Sequence, residues 1–342
     1  MSPSARSGSP REFVVFSGGE IIGDGMFKLP FVRALRAAMP ENSRLVWMTT
    51  GDTVYRTLLK DLTEGLVDEY LRLPPLRVGY RDLLGPPVLD RQFDTLMDTQ
   101  HKIRRTLWLR NRLSSRTFVS GSLRGFLSSP LSKARPAGPP TAHLLDRLFR
   151  IGEAAVGAPL KPVPLVLPDT RWDETARSLL DPERPCVGLV PGSGDPKKRW
   201  PLERFVALAR GLVRIGMQPV FVLGPQEAGI AATLREQVPE ALFPLEQVPG
   251  ADPCLTIALA RRLHATVAND SGGSHLVAAA GRPMVCLFRS ANVRDKYAPR
   301  LEVVRALAPQ DFGKTDMGGL TVRHVEEALF AVLGAAAPPP PA

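Results

Sequence analysis

Residues 265–288 read ATVANDSGGSHLVAAAGRPMVCLF, and the way this stretch divides decides the fold class. Ala265 to Ala268 is a short apolar run that reads as a buried strand, and it breaks at Asn269, Asp270, Ser271, Gly272 and Gly273. A helix is predicted from there: Ser274 serves as N-cap, His275 to Ala280 is helix-forming, and Gly281 stops it. Met284 to Phe288 then reads as the next buried strand. Strand, Gly-rich turn, helix, strand is the unit of a parallel sheet. Such a turn leaves backbone N–H groups unpaired at the positive end of a helix dipole, a geometry that receives a phosphate. The same glycines would equally serve a tight turn that only satisfies its own backbone.

Outward from this unit the alternation continues in both directions. Ahead of it lie a strand at Cys186 to Val190, a loop PGSGDPKK, a helix from Pro201 to Val213, a strand at Pro219 to Leu223, a helix ending near Gln237 and another from Cys254 to Leu263. Thr321 to Leu333 is the last helix. In the first half, Phe13 to Phe16, Leu45 to Thr49, Phe93 to Met97 and Thr117 to Val119 read as strands. Helices are predicted from Met26 to Met39, with Pro30 in the first turn, from Asp52 to Leu62, from His101 to Leu113 and from Thr141 to Ala155. Residues 158–172 contain the Pro-rich APLKPVPLVLPD and are predicted as a linker. The expected organisation is a leader at 1–12, a domain at 13–157, the linker, a second domain at 173–334 and a Pro-rich tail at 335–342. Each half carries the same grammar, so the fold class is α/β, with two doubly wound Rossmann-like domains facing across a cleft.

Composition narrows the class. A chain of 342 residues with 44% hydrophobic residues is globular and comfortable as two domains. No apolar run approaches the roughly 20 residues of a membrane-spanning helix. Cys186, Cys254 and Cys286 sit far apart in apolar runs, as buried free thiols in a reducing cytoplasm would. The formal charge of +10 is concentrated: between Asp98 and Asp146 there is no acidic residue, yet Lys102, Arg104, Arg105, Arg110, Arg112, Arg116, Arg124, Lys133 and Arg135 all fall there. That field attracts an anionic partner. Nucleic acid is disfavoured, because aromatics make up only 6% of the chain and none interleaves with the cations in a stacking motif.

Ligands of such sheets bind beyond the carboxyl ends of the strands, so the informative residues lie in the βα loops. Asp24 follows Gly23 just before a helix, where it can cap the helix or act as a general base. In PGSGDPKKRWP, Gly192 and Ser193 allow close approach, and Lys197, Lys198 and Arg199 offer cations to a diphosphate. Glu227, just after Gly224, can accept ribose hydroxyls or complement a helix dipole. In the central turn, Asp270, Ser271, Gly272, Gly273 and His275 are the phosphate or sugar candidates, with a packed histidine the other reading of His275. None of the eighteen aspartates forms an Asp-x-Asp pair, so no metal is expected at a nucleotide diphosphate.

GDGMFKLPFVRALRAAMP, PGSGDPKKRWPLERF and NDSGGSHLVAAAGRPMVCLF, in this order, resemble the ADP-heptose:lipopolysaccharide heptosyltransferases, glycosyltransferase family 9; FDTLMDTQHKIRRTLWLRNRL is similar to a fourth recurrent stretch. The resemblance spans most of Phe13 to Leu333. It implies a GT-B fold and an inverting, metal-independent transfer, without cofactor, of a sugar from a nucleotide donor, ADP-heptose foremost. By position it makes Asp24 the base, Lys198 the phosphate-neutralising lysine and Glu227 the ribose-binding acid. Asp270, Ser271, Gly272, Gly273 and His275 match the donor turn. The acceptor is then an anionic glycan or glycolipid of the lipopolysaccharide core. Lys28, Lys102, Arg104 and Arg105 are its candidate contacts, on a cytoplasmic protein at the inner face of the bacterial inner membrane. Lys28 stands where a small hydroxyl residue is usual, SGGEIIGDG is a longer lead-in, Ser271 replaces a commoner threonine, and Arg289 to Asn292 replace a Gly-Pro-Thr segment. A sugar-nucleotide epimerase and a non-catalytic sugar-nucleotide or glycolipid binding protein are the alternative readings.

Overall fold

A computed structural model describes residues 9–335 apart from 77, 78, 80, 101, 140, 249 and 251. The expected leader up to residue 8, the tail from 336 and the predicted helix start at His101 lie outside the described residues. Contacts divide the chain into two units, one of the residues up to Ile21 with Lys28–Pro164, the other of Ile22–Phe27 with Leu165 onward.

The first unit is a five-stranded parallel sheet of β1 (Arg11–Phe16), β2 (Ser43–Thr49), β3 (Glu69–Arg72), β4 (Gln92–Asp98) and β5 (Ser114–Ser120), in the order β3-β2-β1-β4-β5. Its helices are α1 (Ile22–Ala38) from Lys28 onward, the first turns of that helix up to Phe27 belonging to the second unit, and α2 (Lys60–Thr63), α3 (Ile103–Arg112), α4 (Leu131–Ala134) and α5 (Leu144–Val156). Val14, Val15 and Phe16 of the central strand are fully buried, the continuous apolar run that a sheet covered on both faces requires. β1 begins inside the expected leader because Arg11 and Glu12 pair with Ser43 and Arg44.

Two predicted helices change. α1 starts at Ile22, earlier than expected, which puts Asp24 inside the first turn, without a capping bond from Ile21, and Pro30 in the helix interior. The helix predicted over 52–62 is a short 3-10 turn at Val54–Arg56 followed by α2, because Thr57 takes non-helical angles between them. β3 escaped the sequence because Glu69 and Arg72 make it a polar, half-buried edge strand.

The second unit is a parallel sheet of β6 (Cys186–Val190), β7 (Gln218–Phe221), β8 (Ala265–Asn269), β9 (Met284–Leu287) and β10 (Val304–Leu307), ordered β10-β9-β8-β6-β7. Its helices are α6 (Arg171–Leu179), α7 (Leu202–Arg214), α8 (Ala228–Gln237), α9 (Pro253–Arg261), α10 (Gly272–Ala278), α11 (Ala291–Tyr297) and α12 (Val322–Gly334). β6, β7, β8 and β9 are buried at every residue, and Trp200, Phe205, Leu212, Val267, Leu287 and Leu329 fill the core beside them. α6 begins within the predicted linker, and α11 and β10 are short segments of mixed burial that no predicted element covers. Burial pushes the Cys186 thiol up to about 11 and that of Cys286 well above its ordinary range, as inert buried thiols require.

In each sheet one pair of neighbouring strands sends its connections to opposite sides: β1 and β4 in the first unit, β6 and β8 in the second. At such a switch point the loops diverge and leave a crevice beyond the strand ends. Gly188 of β6 has no side chain, and the side chains of Leu263 and Thr266 pack into the space this leaves. A Cβ there would fall 2.6 Å from Leu263 Cδ1 and 3.0 Å from Thr266 Oγ1. Gly188→Ala should therefore lower unfolding stability by about 1–3 kcal/mol, the cost of overpacking, measured as a drop in denaturation midpoint at unchanged slope.

Candidate active site

The crevice of the second unit is built around the side chain of Asn269, the last residue of β8 and fully buried. Its Oδ1 accepts the Trp200 N–H at 3.0 Å and its Nδ2 donates to the Pro191 carbonyl at 2.7 Å, so the loop after β6 is held at both ends by the strand beside it. Trp200 is itself anchored, its indole N–H donating to the Leu320 carbonyl at 2.7 Å and its ring packed edge-on against Phe205. Ser193 Oγ reaches the Asp270 carbonyl at 3.4 Å, and the Arg199 guanidinium donates to the Ser193 carbonyl at 2.8 Å. The two predicted phosphate loops are one structure.

At the central turn the helix begins three residues earlier than predicted. Ser271, not Ser274, is the N-cap: its hydroxyl accepts the Ser274 N–H, and Ser274 Oγ accepts the Ser271 N–H at 3.1 Å in return. The N–H groups of Gly272 and Gly273 thereby fall in the first turn, where no intrahelical partner exists. Lys198 Nζ stands 2.7 Å from Asp270 Oδ2, at an angle that leaves this buried oxygen without a directed hydrogen bond. A cation, two free amides and a buried carboxylate share one small volume.

Gly23 and Gly272 meet backbone to backbone. A Cβ on Gly23 would lie 3.3 Å from Gly272 Cα, and one on Gly272 would lie 2.6 Å from Ile22 Cγ2. The glycine at 272 is thus required by the approach of α1 as well as by the turn. Asp24, the next residue, is exposed and adds its charge to the first turn of α1. Phe27, one turn on, packs edge-on against His275 at 5.6 Å and Tyr297 at 5.4 Å.

Tyr297 was not foreseen, because the short α11 that carries it was not read as a helix. Burial raises its phenol pKa, and the carboxylates of Asp24 and Asp270 raise it further, which places the hydroxyl in the field of both. His275 is ringed by protein atoms although a strip of its surface stays accessible. Burial is the main cause that brings its pKa down to about 4, opposed by Asp270 and assisted by Lys198. It is a neutral imidazole at pH 7.

The remaining candidates separate. Glu227 Oε2 accepts the Gly224 N–H at 3.0 Å, and its carboxylate lies where a side chain at Gly192 would collide with it, so it joins the loops after β6 and β7. Lys197 is exposed, with its backbone N–H bound to Asp195 Oδ1. Arg289 is 3.6 Å from Asp195, and Ser290 caps α11.

In the first unit, Lys28 Nζ is 3.1 Å from Glu20 Oε1 and 2.7 Å from Ser17 Oγ, and the Trp47 indole N–H donates to Glu20 Oε2. Its charge is matched by a buried carboxylate from the SGGEIIGDG lead-in. Lys102 and Arg104 are exposed at the start of α3, and Arg105 donates to Gln100, which in turn donates to the Ser17 carbonyl. No three His, Cys, Asp or Glu converge to hold a metal ion among the described residues.

Two doubly wound parallel sheets, one presenting a cationic and amide-lined turn beside an exposed carboxylate, define a GT-B glycosyltransferase. The chain belongs to glycosyltransferase family 9 (heptosyltransferase), whose profile matches residues 84–311. It is 27% identical over 294 residues to lipopolysaccharide heptosyltransferase 2 of Salmonella typhimurium, covering 80% of this chain and 82% of that one. The fold is similar to that of a glycosyltransferase family 9 protein from Veillonella parvula, with a TM-score of 0.68, 19% identity and coverage of 95% and 98% of the two chains. It is also similar to an E. coli heptosyltransferase solved with ADP-2-deoxy-2-fluoro heptose, with a TM-score of 0.61, 16% identity and coverage of 94% and 99%.

Two measurements check this geometry. Asn269→Ala leaves the Trp200 N–H and the Pro191 carbonyl without their partner, and unfolding free energy should fall by about 2–6 kcal/mol, at about 1–3 for each group. His275 binds a proton near pH 6.5 in the unfolded chain but only near 4 in the fold. The unfolded state therefore holds more protons between those values, and stability falls as pH is lowered through them. Lowering the pH from 7 to 5 should cost on the order of 1–2 kcal/mol through this group, a loss absent from His275→Gln when the two unfolding curves are compared.

Proposed function

We propose that the protein is an inverting, metal-independent heptosyltransferase that moves heptose from ADP-heptose to a hydroxyl of a lipopolysaccharide-core or related glycan. The observation that carries this reading is the backbone contact of Gly23 with Gly272, which sets the exposed Asp24 carboxylate beside the turn that holds Lys198 and the free amides. Donor identity is supported by the E. coli neighbour solved with an ADP-heptose analogue, and acceptor class by the Salmonella relative.

In the proposed reaction Asp24 takes the proton of the acceptor hydroxyl as its oxygen attacks the anomeric carbon from the face opposite the diphosphate. The bond from the anomeric carbon to the diphosphate oxygen breaks, and the diphosphate leaves with the electron pair. Lys198 and the N–H groups of Gly272 and Gly273 neutralise the charge that develops there. Asp270 keeps the Lys198 amino group in place, at 2.7 Å. Glu227, Gly192, Ser193, Gly224 and Ser271 line the nucleotide side, Lys197 and Arg199 add positive charge, and His275, being neutral, serves as a donor or acceptor without carrying charge. Tyr297 joins them as a hydroxyl in reach of both carboxylate fields. Lys102, Arg104 and Arg105 meet the anionic acceptor, and Lys28 supports them from its pair with Glu20. An acceptor of this class supports a reaction at the cytoplasmic face of the inner membrane.

Purified protein incubated with ADP-heptose and a heptose-deficient core acceptor should release ADP and a glycosylated product of inverted configuration, with the rate unchanged by a chelator. Asp24→Asn and Lys198→Ala should each lower kcat by roughly 10²–10⁴ while the thermal unfolding midpoint stays within a few degrees of wild type. Wild-type turnover in Asp24→Asn would end the assignment of the base.

A further inference from the structure

The first unit contains a cavity of about 390 Å³ that the proposed reaction does not use. It lies between the segment after β5 and helix α5, and its wall carries four guanidinium groups, Arg124, Arg135, Arg147 and Arg150, with Gly125 and Ile151 among the uncharged residues between them. No carboxylate lines it, and none of the four arginines is ion-paired among the described residues. Four positive charges converging on one hollow repel one another unless an anion occupies it.

Each position is set by the fold. The Arg147 Nε–H donates to the Thr141 carbonyl at 2.8 Å, Arg150 donates to the Pro139 carbonyl, and the Arg135 Nε–H donates to the Arg124 carbonyl at 3.1 Å. Arg135 also stacks over the Phe126 ring, 4.3 Å from its centroid. One N–H group of each of these three is thus used for tethering, and the rest of each planar fork is left to a ligand. Arg124 makes no side-chain hydrogen bond among the described residues, and its backbone, like that of Leu123, takes a left-handed conformation with φ of 55°. A non-glycine residue pays strain to be there, and such strain gathers at ligand sites.

We propose that this cavity is a binding site for a phosphate monoester. The group is recognised by the planar forks of two or more arginines, which match the spacing of phosphate oxygens and hold a dianion better than a carboxylate. A cavity of this size has room for the phosphate together with the sugar ring or headgroup that bears it. The site differs in residues and in unit from the Lys198 turn, so it stands whether or not the donor assignment holds.

The test uses the full chain in the Lys198→Ala background, which silences the donor turn, and titrates it by calorimetry with glucose 6-phosphate, with glucose and with inorganic phosphate. Sedimentation with phosphatidylcholine vesicles, plain or containing phosphatidic acid, forms the lipid arm. Binding of a phosphate-bearing probe, absent for glucose and plain vesicles and weakened by salt, is expected. Arg124→Gln should weaken it roughly tenfold, the loss of one charge-assisted contact, at an unchanged thermal midpoint because this side chain holds nothing in the fold. Preference for glucose 6-phosphate identifies a sugar phosphate as the source, binding to phosphatidic acid vesicles alone a lipid headgroup, and equal binding of inorganic phosphate a free ion. Failure of every phosphate probe, or undiminished binding in Arg124→Gln and in the folded variant carrying Arg124→Gln with Arg135→Gln, would overturn the site.

Discussion

The crevice of the second unit depends on one buried amide. Asn269 ends β8 at the point where the sheet of the second unit reverses its order, and its two hydrogen bonds hold both ends of the loop that leaves β6. Because an amide is at once donor and acceptor, a single side chain satisfies a backbone N–H and a backbone carbonyl that would otherwise be buried unpaired. The residues proposed to handle phosphate follow from this tie. Lys198 sits on the loop so held, Asp270 directly follows the asparagine, and the two glycines open the next helix.

The electrostatics of the turn follow from burial. Asp270 is almost fully enclosed and Lys198 partly so, which makes their 2.7 Å approach strong and keeps the lysine from wandering. The same enclosure holds His275 neutral, so positive charge in the turn is concentrated on the lysine. Tyr297 and Phe27 close one side with aromatic surface, and the phenol takes on the negative field of Asp24 and Asp270. A site that is to stabilise a departing diphosphate gains from this separation, since one cation held by its carboxylate and fixed amide dipoles need little reorganisation.

In the first unit the basic character divides between two places. Lys28 is answered by Glu20, so the unusual lysine and the long lead-in are two halves of one buried pair, joined by Ser17 and Trp47. Arg124, Arg135, Arg147 and Arg150 have no such answer among the described residues and surround a hollow instead. Charge counting between Asp98 and Asp146 took in Arg124 and Arg135 but not Lys28, Arg147 or Arg150, and could not separate partnered cations from unpartnered ones.

The sequence by itself determined the class of fold and the family, and it singled out the loops after β6, β7 and β8 as the candidates for chemistry. Buried parallel strands such as Cys186 to Val190 leave an apolar signature, and glycines and charged residues punctuate them at strand ends, both being local properties of the chain. It misplaced the start of α1 and the cap of α10, because Ser271 and Ser274 are equally good caps until the strand end fixes which of them is extended. It passed over β3, β10 and α11, whose short or polar segments are held by neighbours distant in sequence. Only the tertiary structure decided that Gly23 meets Gly272, that Glu20 answers Lys28, that Asn269 ties two loops and that Tyr297 faces the carboxylates. Those are distances between residues far apart along the chain, set by strand order and by packing, and no local pattern of residues encodes them.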